Sequence, residues 1–370
     1  MIPVFSPLLG EEELKNVNEA IKSGWISSKG KFIEEFENKF AEYSGCKYGV
    51  AVTNGTSALH LALTVLGVKK GDEVIIPNFT MMATALAVVY TGAKPVFVDC
   101  EEETGNIDVK KIKDKINYKT KVILPVHIYG HACDMDEINK IAEKHKLFVV
   151  EDAAEAHGAE YKNKRCGSLG DIGCFSFYAN KLITTGEGGM LVTNSEEIYE
   201  KAKSLRNLSF GKENRFLHEE VGFNYRMTNV QAGIGLGQMK RIDFILKKKI
   251  ENALLYNSFL RGVKGIDIPI EKSYVKNSYW MYAIRFNDNF GFNKKDVKTK
   301  LFEKGVDSRD FFIGMNKQPF FKKIGLQVDE KFPISEKWSE TGLYLPSGVD
   351  LKEEDIKYIC NCIKEIKNGK

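Results

Sequence analysis

The chain of 370 residues is long enough for two lobes, and its 54 basic and 50 acidic residues leave a formal net charge of +4. Hydrophobic residues make up 43% and charged residues 28% of the chain, which excludes a disordered or fibrous protein. The two signs of charge are interspersed without a long basic run, so we expect no nucleic-acid partner. The seven cysteines are scattered without a zinc or redox spacing, and no metal site is predicted.

The N-terminal segment has no basic region followed by an apolar core, so no signal peptide is predicted. The most apolar long stretch, residues 81–92, is shorter than the roughly 20 residues needed to cross a bilayer. We therefore expect a cytoplasmic protein without a membrane-spanning segment.

Short apolar runs alternate with helical patterns through the first half of the chain. Continuous Val- and Ile-rich runs indicate strands that are covered on both faces, and their alternation with helices indicates a mostly parallel sheet. The predicted strands are 49–53, 74–77, 95–99, 122–126 and 147–150, and the predicted helices are 58–66, 83–90 and two that begin near Asp108 and Asp134.

After Gly170 the alternation ends. Residues 175–177 and 190–193 predict two strands that are joined by a glycine-rich turn instead of a helix. Residues 229–260 then form one long helical pattern.

The C-terminal part mixes a predicted strand at 279–286 with amphipathic helices at 294–304 and 353–366. We predict an α/β protein with a large domain over residues 1–245, which includes an N-terminal arm, and a smaller α+β domain over residues 246–370.

The segment from Asn54 to Ala58 lies between a predicted strand and a predicted helix. Backbone amides at a helix start, with the hydroxyls of Thr56 and Ser57 beside them, form an anion site. The same residues also fit a plain helix cap with no ligand.

Asp152 follows the buried strand at 147–150, at the edge where open α/β sheets bind ligands. A carboxylate among alanines is costly to keep ionised unless a cation faces it. The alternative is a carboxylate that only caps the next helix.

Lys181 lies between an apolar strand and the small-residue turn at 184–189. A lysine removed from water has a lowered pKa and can act as a nucleophile that forms imines. The alternative is an ordinary loop lysine that faces solvent. Together, Lys181, Asp152, Ser176 and the anion site at Thr56 and Ser57 are the parts of a pocket for pyridoxal 5'-phosphate (PLP).

Seven segments spread over most of the chain resemble the DegT/StrS group of PLP-dependent nucleotide-sugar aminotransferases. The resemblance implies the type I fold, similar to aspartate aminotransferase, whose large domain has a mostly parallel seven-stranded sheet and whose smaller domain is α+β. The segments are 25–30 (WISSKG), 54–63 (NGTSALHLAL), 71–75 (GDEVI), 125–130 (PVHIYG), 151–156 (EDAAEA), 180–190 with Asn180-Lys181 and TTGEGGM, and 222–229 (GFNYRMTN).

The resemblance also implies roles for individual residues. Lys181 would be the Schiff-base lysine and proton carrier, and Asp152 would pair with the cofactor's pyridinium nitrogen. Asn224 would reach the cofactor of a neighbouring subunit, which implies a homodimer with shared active sites. The further cofactor-binding candidates are Gly55, Thr56, Ser57 and Ser176 around the phosphate, Glu155 near the ring hydroxyl, and Met81, which stands where the family usually has an aromatic ring.

The implied reaction moves the amino group of L-glutamate to the keto group, C4, of a nucleotide-linked 4-keto-6-deoxy sugar such as GDP-4-keto-6-deoxymannose. Such products serve surface polysaccharides, for example O-antigen or capsule. Arg226 is the candidate for the donor's carboxylate. The remaining substrate candidates are Trp25, Ser27, Arg309 and Asn316.

The acceptor stays open because Met81, Asp310 and Asn316 depart from the family pattern. The alternative acceptors are another 4-keto nucleotide sugar and a small phosphorylated ketone such as dihydroxyacetone phosphate. A more remote alternative is a non-catalytic regulator that binds PLP. Relatives that catalyse 3-dehydration carry His in place of Lys181, so that chemistry is not expected here.

Three histidines follow predicted strands near the same edge. His127, His131 and His157 either line the pocket or are strand-end residues with satisfied hydrogen bonds. For His131 and His157 we favour the second interpretation.

Overall fold

The structure is a computed structural model that describes residues 1–211, 213–218, 220–326 and 329–369. Its strands, in chain order, are β1 (Tyr48–Val52), β2 (Glu73–Pro77), β3 (Lys94–Val98), β4 (Thr120–Ile123), β5 (Phe148–Asp152), β6 (Glu160–Tyr161), β7 (Lys164–Arg165), β8 (Ile172–Ser176), β9 (Gly189–Thr193), β10 (Ile266–Asp267), β11 (Val275–Lys276), β12 (Tyr282–Phe286), β13 (Arg309–Asp310) and β14 (Gly342–Leu345).

The helices surround these strands and range from one turn to five turns. They are α1 (Glu11–Ser23), α2 (Lys31–Tyr43), α3 (Gly55–Val65), α4 (Met82–Tyr90), α5 (Val109–Ile112), α6 (Met135–His145), α7 (Glu196–Arg206), α8 (Asn229–Met239), α9 (Ile242–Leu260), α10 (Lys294–Glu303), α11 (Pro319–Lys323), α12 (Pro333–Thr341) and α13 (Glu353–Lys367). Among the described residues, no helix combines the length and the apolar composition needed to span a bilayer.

A seven-stranded sheet, here called the main sheet, has the strand order β1-β9-β8-β5-β4-β2-β3. Its neighbours from β8 to β3 pair in parallel, whereas β9 runs antiparallel to both β1 and β8. The predicted mostly parallel sheet is therefore confirmed. Because β9 returns without a crossover helix, the glycine-rich turn before it lies at the same edge as the end of β8.

Alternate residues of the main-sheet strands pack into two separate cores. Ile75 and Val149 belong to the core that contains α2, α6 and α8, whereas Val74, Ile76 and Val150 belong to the core that contains α3 and α4. This is why the strands are continuously apolar, since both faces of a parallel sheet are covered by helices.

A second sheet, with the order β10-β12-β14-β13, is entirely antiparallel. Its apolar face packs with α9, α10 and α13. The first residues of the chain reach this region, since Ile2 bridges to Val306 and the amide of Ser347 donates to the carbonyl of Val4 at 2.8 Å. A third, small sheet has the order β11-β6-β7.

The helical pattern at 229–260 folds as two helices, α8 and α9, rather than one. At the break, the side chain of Arg241 forms an ion pair with Glu13 and donates to the carbonyl of Leu8 at 3.3 Å. No Pro or Gly marks this position, so the helix break could not be predicted from the sequence pattern.

The predicted domain boundary after residue 245 falls inside α9, and that division of the chain stays a prediction.

Candidate active site

The carboxyl ends of the parallel strands and the edge of the second sheet enclose a cavity of about 810 Å³. Open α/β sheets bind ligands at this edge because the loops that follow the parallel strands converge there. The main-sheet side is lined by Thr53, Asn54, Gly55, Thr56, Thr80, Met81, Asp152, Glu155, Ser176 and Lys181, and the second-sheet side by Trp280, Met281, Arg309, Asp310, Phe312 and Tyr344.

Helix α3 begins at the cavity wall. The side chain of Asn54 caps it by accepting hydrogen bonds from the amide of Ser57 at 2.8 Å and from its hydroxyl at 3.0 Å. Gly55 is required here, because a Cβ at this position would lie 2.8 Å from Cβ of Ser176. The close approach brings the positive end of the helix dipole and a strand-end hydroxyl to the same part of the cavity, which suits a phosphate.

Asp152 ends β5 and is 5% exposed. Its carboxylate accepts hydrogen bonds from the Thr84 hydroxyl at 2.8 Å and from the Ala154 amide at 3.2 Å. Burial nevertheless raises the pKa of Asp152, against the opposing effects of Thr84, Ala154 and Lys181. Such a carboxylate is stabilised by a further cation that enters the cavity.

Lys181 lies on the loop between β8 and β9, and its amide donates to the carbonyl of Tyr178 at 2.9 Å. Burial lowers the pKa of its amine, and the nearby carboxylates of Glu155 and Asp152 partly offset this effect. The Nζ atom lies 3.8 Å from the ring centroid of Trp280. The site therefore holds a lysine whose ammonium form is less favoured than in water, between two acids and an aromatic ring.

Glu155 is buried and accepts a hydrogen bond from the amide of Tyr129 at 2.8 Å. Burial raises the pKa of Glu155 to about 7, although the charge of Lys181 lowers it. Tyr129 has a φ of 54°, a left-handed conformation that is unfavourable for a residue with a side chain. Strain of this kind persists where surrounding contacts hold it, and the hydrogen bond from Tyr129 to Glu155 is one such contact.

Some predicted site residues lie outside the cavity lining. Asn224 is exposed and accepts from Nε of Arg226 at 2.8 Å, while Arg226 also donates to Asn207 at 3.1 Å. The side chain of Asn316 is bound to Asn78 at 3.0 Å and to Glu336 at 3.0 Å.

The loop that contains Trp25 and Ser27 is attached to the start of α8 instead of the cavity. The amide of Asn229 donates to the carbonyl of Ser27 at 2.6 Å, and its side chain donates to the carbonyl of Trp25 at 2.6 Å. The hydroxyl of Ser57, a predicted cofactor ligand, makes its contacts inside the protein and lies 2.9 Å from the hydroxyl of Thr53.

The three histidines are buried away from the cavity lining. His127 shares a hydrogen bond of 2.9 Å with Glu151 and accepts from the Cys133 amide at 3.1 Å, so its ring is satisfied as the neutral tautomer. His131 is bound to the carbonyl of Ala132 at 2.8 Å. Neither ring nitrogen of His157 has a hydrogen-bond partner within the described ranges, so the expectation of satisfied hydrogen bonds is wrong for this residue. Burial lowers its pKa to about 3.

His127 and Glu151 also form, with Cys166, a group whose ligand atoms lie within 4.8 Å of one another. The carboxylate of Glu151 is already occupied, because it accepts from His127 and from three backbone amides at 2.7–2.8 Å. The cluster therefore fixes the turn after β7 rather than offering free ligands.

Sequence reasoning missed Gln231, Trp280 and Tyr344, which line the cavity, and Thr84, which donates to Asp152 without lining it. Thr84 could have been found, because a Thr in the first turn of a helix at the ligand edge is a candidate hydroxyl donor. Trp280 and Tyr344 had no such signal, since they come from the second sheet and meet the loops of the main sheet only in the folded chain.

Residues 7–364 match the DegT/DnrJ/EryC1/StrS aminotransferase family. The chain belongs to this family. A GDP-perosamine synthase of Vibrio cholerae is 41% identical over 368 residues, which cover 100% of both chains. Among solved structures, an aminotransferase from Psychrobacter cryohalolentis superposes with a TM-score of 0.94 at 32% identity, covering 99% of both chains.

A further structure links the fold to the cofactor. Spr1654 of Streptococcus pneumoniae, described as a sugar aminotransferase in its PLP form, has a TM-score of 0.94 at 27% identity, covering 100% of this chain and 99% of its own. The predicted family, type I fold and transaminase activity are therefore confirmed, and this aminotransferase is one of the sugar aminotransferases of its family.

Proposed function

We propose that this aminotransferase uses PLP and transfers the amino group of L-glutamate to the C4 keto group of a nucleotide-linked 4-keto-6-deoxy sugar. The preferred acceptor is GDP-4-keto-6-deoxymannose. The proposal rests above all on one observation: Lys181, Asp152 and the start of α3 converge on a single cavity.

The residues of this cavity fit PLP. Gly55, Thr56 and Ser176 surround a helix start that suits its phosphate, and a protonated ring nitrogen would supply a cation that stabilises the carboxylate of the buried Asp152. Lys181 carries the amine that would bind the cofactor covalently. When bound, PLP supplies an electron sink that stabilises negative charge on the carbon next to the amino group.

The protein's own groups then perform the proton movements. Asp152 would hold the proton on the ring nitrogen, with its carboxylate oriented by the hydrogen bonds from Thr84 and Ala154. Lys181 would take the proton from Cα of the donor through its Nζ, and the lowered pKa of this amine favours its uncharged form more than in water. Trp280 and Tyr344 limit the access of water from the side of the second sheet.

The size of the cavity favours a large acceptor. About 810 Å³ is towards the upper end of ordinary ligand pockets and exceeds what a triose phosphate needs. Arg309 lines the second-sheet side and offers a cation for an acidic group of a substrate. The 41% identity to a GDP-perosamine synthase supports a GDP-linked sugar, and thereby a role in surface polysaccharide synthesis.

The proposed homodimer is supported by the position of Asn224. Its side chain is exposed, lies outside the cavity of its own chain and is oriented by Arg226. A second copy of the chain would receive this side chain in its own cavity.

The acceptor is tested with enzyme that has been converted to the amine form by glutamate and freed of donor. GDP-4-keto-6-deoxymannose, its dTDP- and UDP-linked counterparts and dihydroxyacetone phosphate are then supplied separately, and amine formation is followed by mass spectrometry. The GDP sugar should react at least about tenfold faster than the others, a difference of about 1.4 kcal/mol in activation free energy. Faster reaction of the triose phosphate would overturn the acceptor assignment, and failure of glutamate to yield 2-oxoglutarate would overturn the donor.

A further inference from the structure

Lys249 is a second buried lysine, which the proposed reaction does not use. It lies in α9 with 2% of its surface exposed, and its Nζ donates to the carbonyl of Trp280 at 2.6 Å and to that of Ser347 at 2.5 Å. Burial lowers its pKa to about 7. An uncharged amine has two N–H donors, so Lys249 can satisfy both carbonyls without a carboxylate partner.

The two carbonyls belong to chain segments that separate at the end of the second sheet. Tyr282 of β12 pairs with Leu345 of β14, and its amide donates to the Ser347 hydroxyl at 2.8 Å. Trp280 precedes this pair and Ser347 follows it. Lys249 therefore joins the two segments at the point where the hydrogen-bond ladder between the strands has ended.

Two other side chains of α9 hold the same returning segment. Asn252 donates to the carbonyl of Gly348 at 3.1 Å, and Tyr256 donates to the carbonyl of Pro346 at 2.9 Å. Of these three donors, Lys249 is the one that also reaches Trp280. Tyr256 is therefore a natural control, because it makes a similar bond to a neighbouring carbonyl.

Trp280 connects Lys249 to the reactive lysine. Its indole N–H donates to the carbonyl of Asn180 at 2.7 Å, and its amide donates to the carbonyl of Tyr129 at 3.0 Å. Its ring lies over Nζ of Lys181, with 3.8 Å to the centroid. The carbonyl that Lys249 holds thus belongs to the residue that covers one side of the Lys181 amine.

We propose that Lys249 is a positioning residue, which fixes Trp280 over the amine of Lys181. The importance of this arrangement for turnover rests on the proposed function of Lys181, whereas the arrangement itself is tested without any reaction. A lysine held between two carbonyls resists rotation of the Trp280 backbone, so the ring stays where it limits access to the amine.

The test measures how fast the Lys181 amine is acylated by acetic anhydride in the full-length chain freed of cofactor. Site-specific mass spectrometry over a range of pH gives the limiting rate constant of the uncharged amine, which reports access rather than charge. Trp280→Leu should raise this constant by about threefold to tenfold, because the ring no longer covers Nζ. Lys249→Met should raise it by about threefold, because the Trp280 carbonyl loses its donor.

Three comparisons decide the result. Tyr256→Phe should leave the rate constant unchanged, and the double variant Lys249→Met with Trp280→Leu should match Trp280→Leu alone, since both act on the same cover. A folded Lys249→Met chain that is acylated at the wild-type rate, or effects that multiply in the double variant, would overturn the proposal.

A second variant keeps the test decisive if Lys249→Met does not fold. Lys249→Gln keeps N–H donors on a shorter side chain that cannot reach both carbonyls, so about a twofold increase is expected, and the wild-type rate would overturn the proposal. The outcome is separate from that of the proposed function. If Lys181→Ala still transaminates, the proposed function fails while the acylation result stands.

Discussion

Lys181 is partly buried and Lys249 is buried, and their surroundings differ. Lys181 lies at an 810 Å³ cavity with the carboxyl groups of Asp152 and Glu155 nearby, whereas Lys249 is closed in by α9 and two backbone carbonyls. Burial lowers the pKa of both amines. The comparison teaches that burial disfavours the charged form of a lysine, whereas an adjoining cavity and nearby acids make that lysine a candidate for chemistry.

Removing each lysine in turn is the strongest test of the difference between them. Lys181→Ala should lower amine formation by about 10⁴-fold or more, because both the covalent attachment and the proton carrier are lost. Lys249→Met should retain activity within about tenfold, since its side chain does not touch the cavity. Turnover is followed with glutamate and a 4-keto nucleotide sugar, and a melting curve confirms that each variant is folded. If Lys181→Ala had activity near the wild-type level, the proposed difference in role between Lys181 and Lys249 would be wrong.

The acid beside Lys181 gives the next largest effect. Asp152→Asn keeps the shape and the hydrogen bond from Thr84 but removes the charge, so the donor half-reaction should slow by about 10²- to 10³-fold. Asp310→Asn, a second carboxylate at the cavity, is the control and should change this rate by less than about tenfold. Single-turnover kinetics with glutamate measure both. A normal rate for Asp152→Asn would mean that the cofactor nitrogen does not need this carboxylate.

The pH dependence of stability distinguishes Lys249 from an exposed lysine. Its pKa is about 7 in the folded chain and about 10.4 when unfolded, so between these values the unfolded chain binds more protons and stability rises with pH. From pH 7.5 to 9.5, the free energy of unfolding of the wild type should increase relative to Lys249→Met by about 1.4 kcal/mol per pH unit.

Denaturant titrations at several pH values measure this slope. Lys201→Met is the control, because Lys201 is exposed and donates to the carbonyl of Val65 at 3.0 Å. It should keep the wild-type slope. Equal slopes for the wild type and Lys249→Met would show that Lys249 stays charged when folded.

The smallest effect concerns the support of Asp152. Thr84→Val removes the hydroxyl that donates to its carboxylate, which should raise the pKa of Asp152 further and lower the turnover number about fivefold. Thr91→Val is the matched control in the same region, because the Thr91 hydroxyl donates to the Val88 carbonyl at 2.7 Å, at the far end of α4. If both variants behave alike, the hydroxyl of Thr84 has no special role.

The main-sheet side of the cavity, which contains Lys181, can be predicted well from the sequence. Asp152 and Ser176 end strands whose apolar runs are easy to recognise, and Asn54 caps a helix directly after another strand. Since parallel strands end at one edge, their chemistry can be predicted together from local patterns. The cavity's second-sheet side could not be predicted in this way, because Trp280 and Tyr344 come from segments whose distance from Lys181 depends on packing.

Lys249 could have been recognised but was hidden in a run of three lysines. The helix pattern from Ile242 through Ile245, Leu246 and Ala253 places residue 249 on the apolar face, whereas Lys247 on the other side is exposed. A lysine at a core position of a helix is a signal for a specific partner. The identity of that partner, the Trp280 carbonyl, requires the folded chain.

The reversed direction of β9 has a consequence for how the backbone of Lys181 is held. Ser176 and Gly189 are register partners, so the twelve intervening residues leave and rejoin the main sheet at the same place. Both ends of this segment are therefore joined to each other within the main sheet. Inside it, the carbonyl of Asn180 accepts from the Trp280 indole at 2.7 Å, so the neighbouring backbone of Lys181 is also tied to the second-sheet side of the cavity, and a displacement of Trp280 would be transmitted to Lys181.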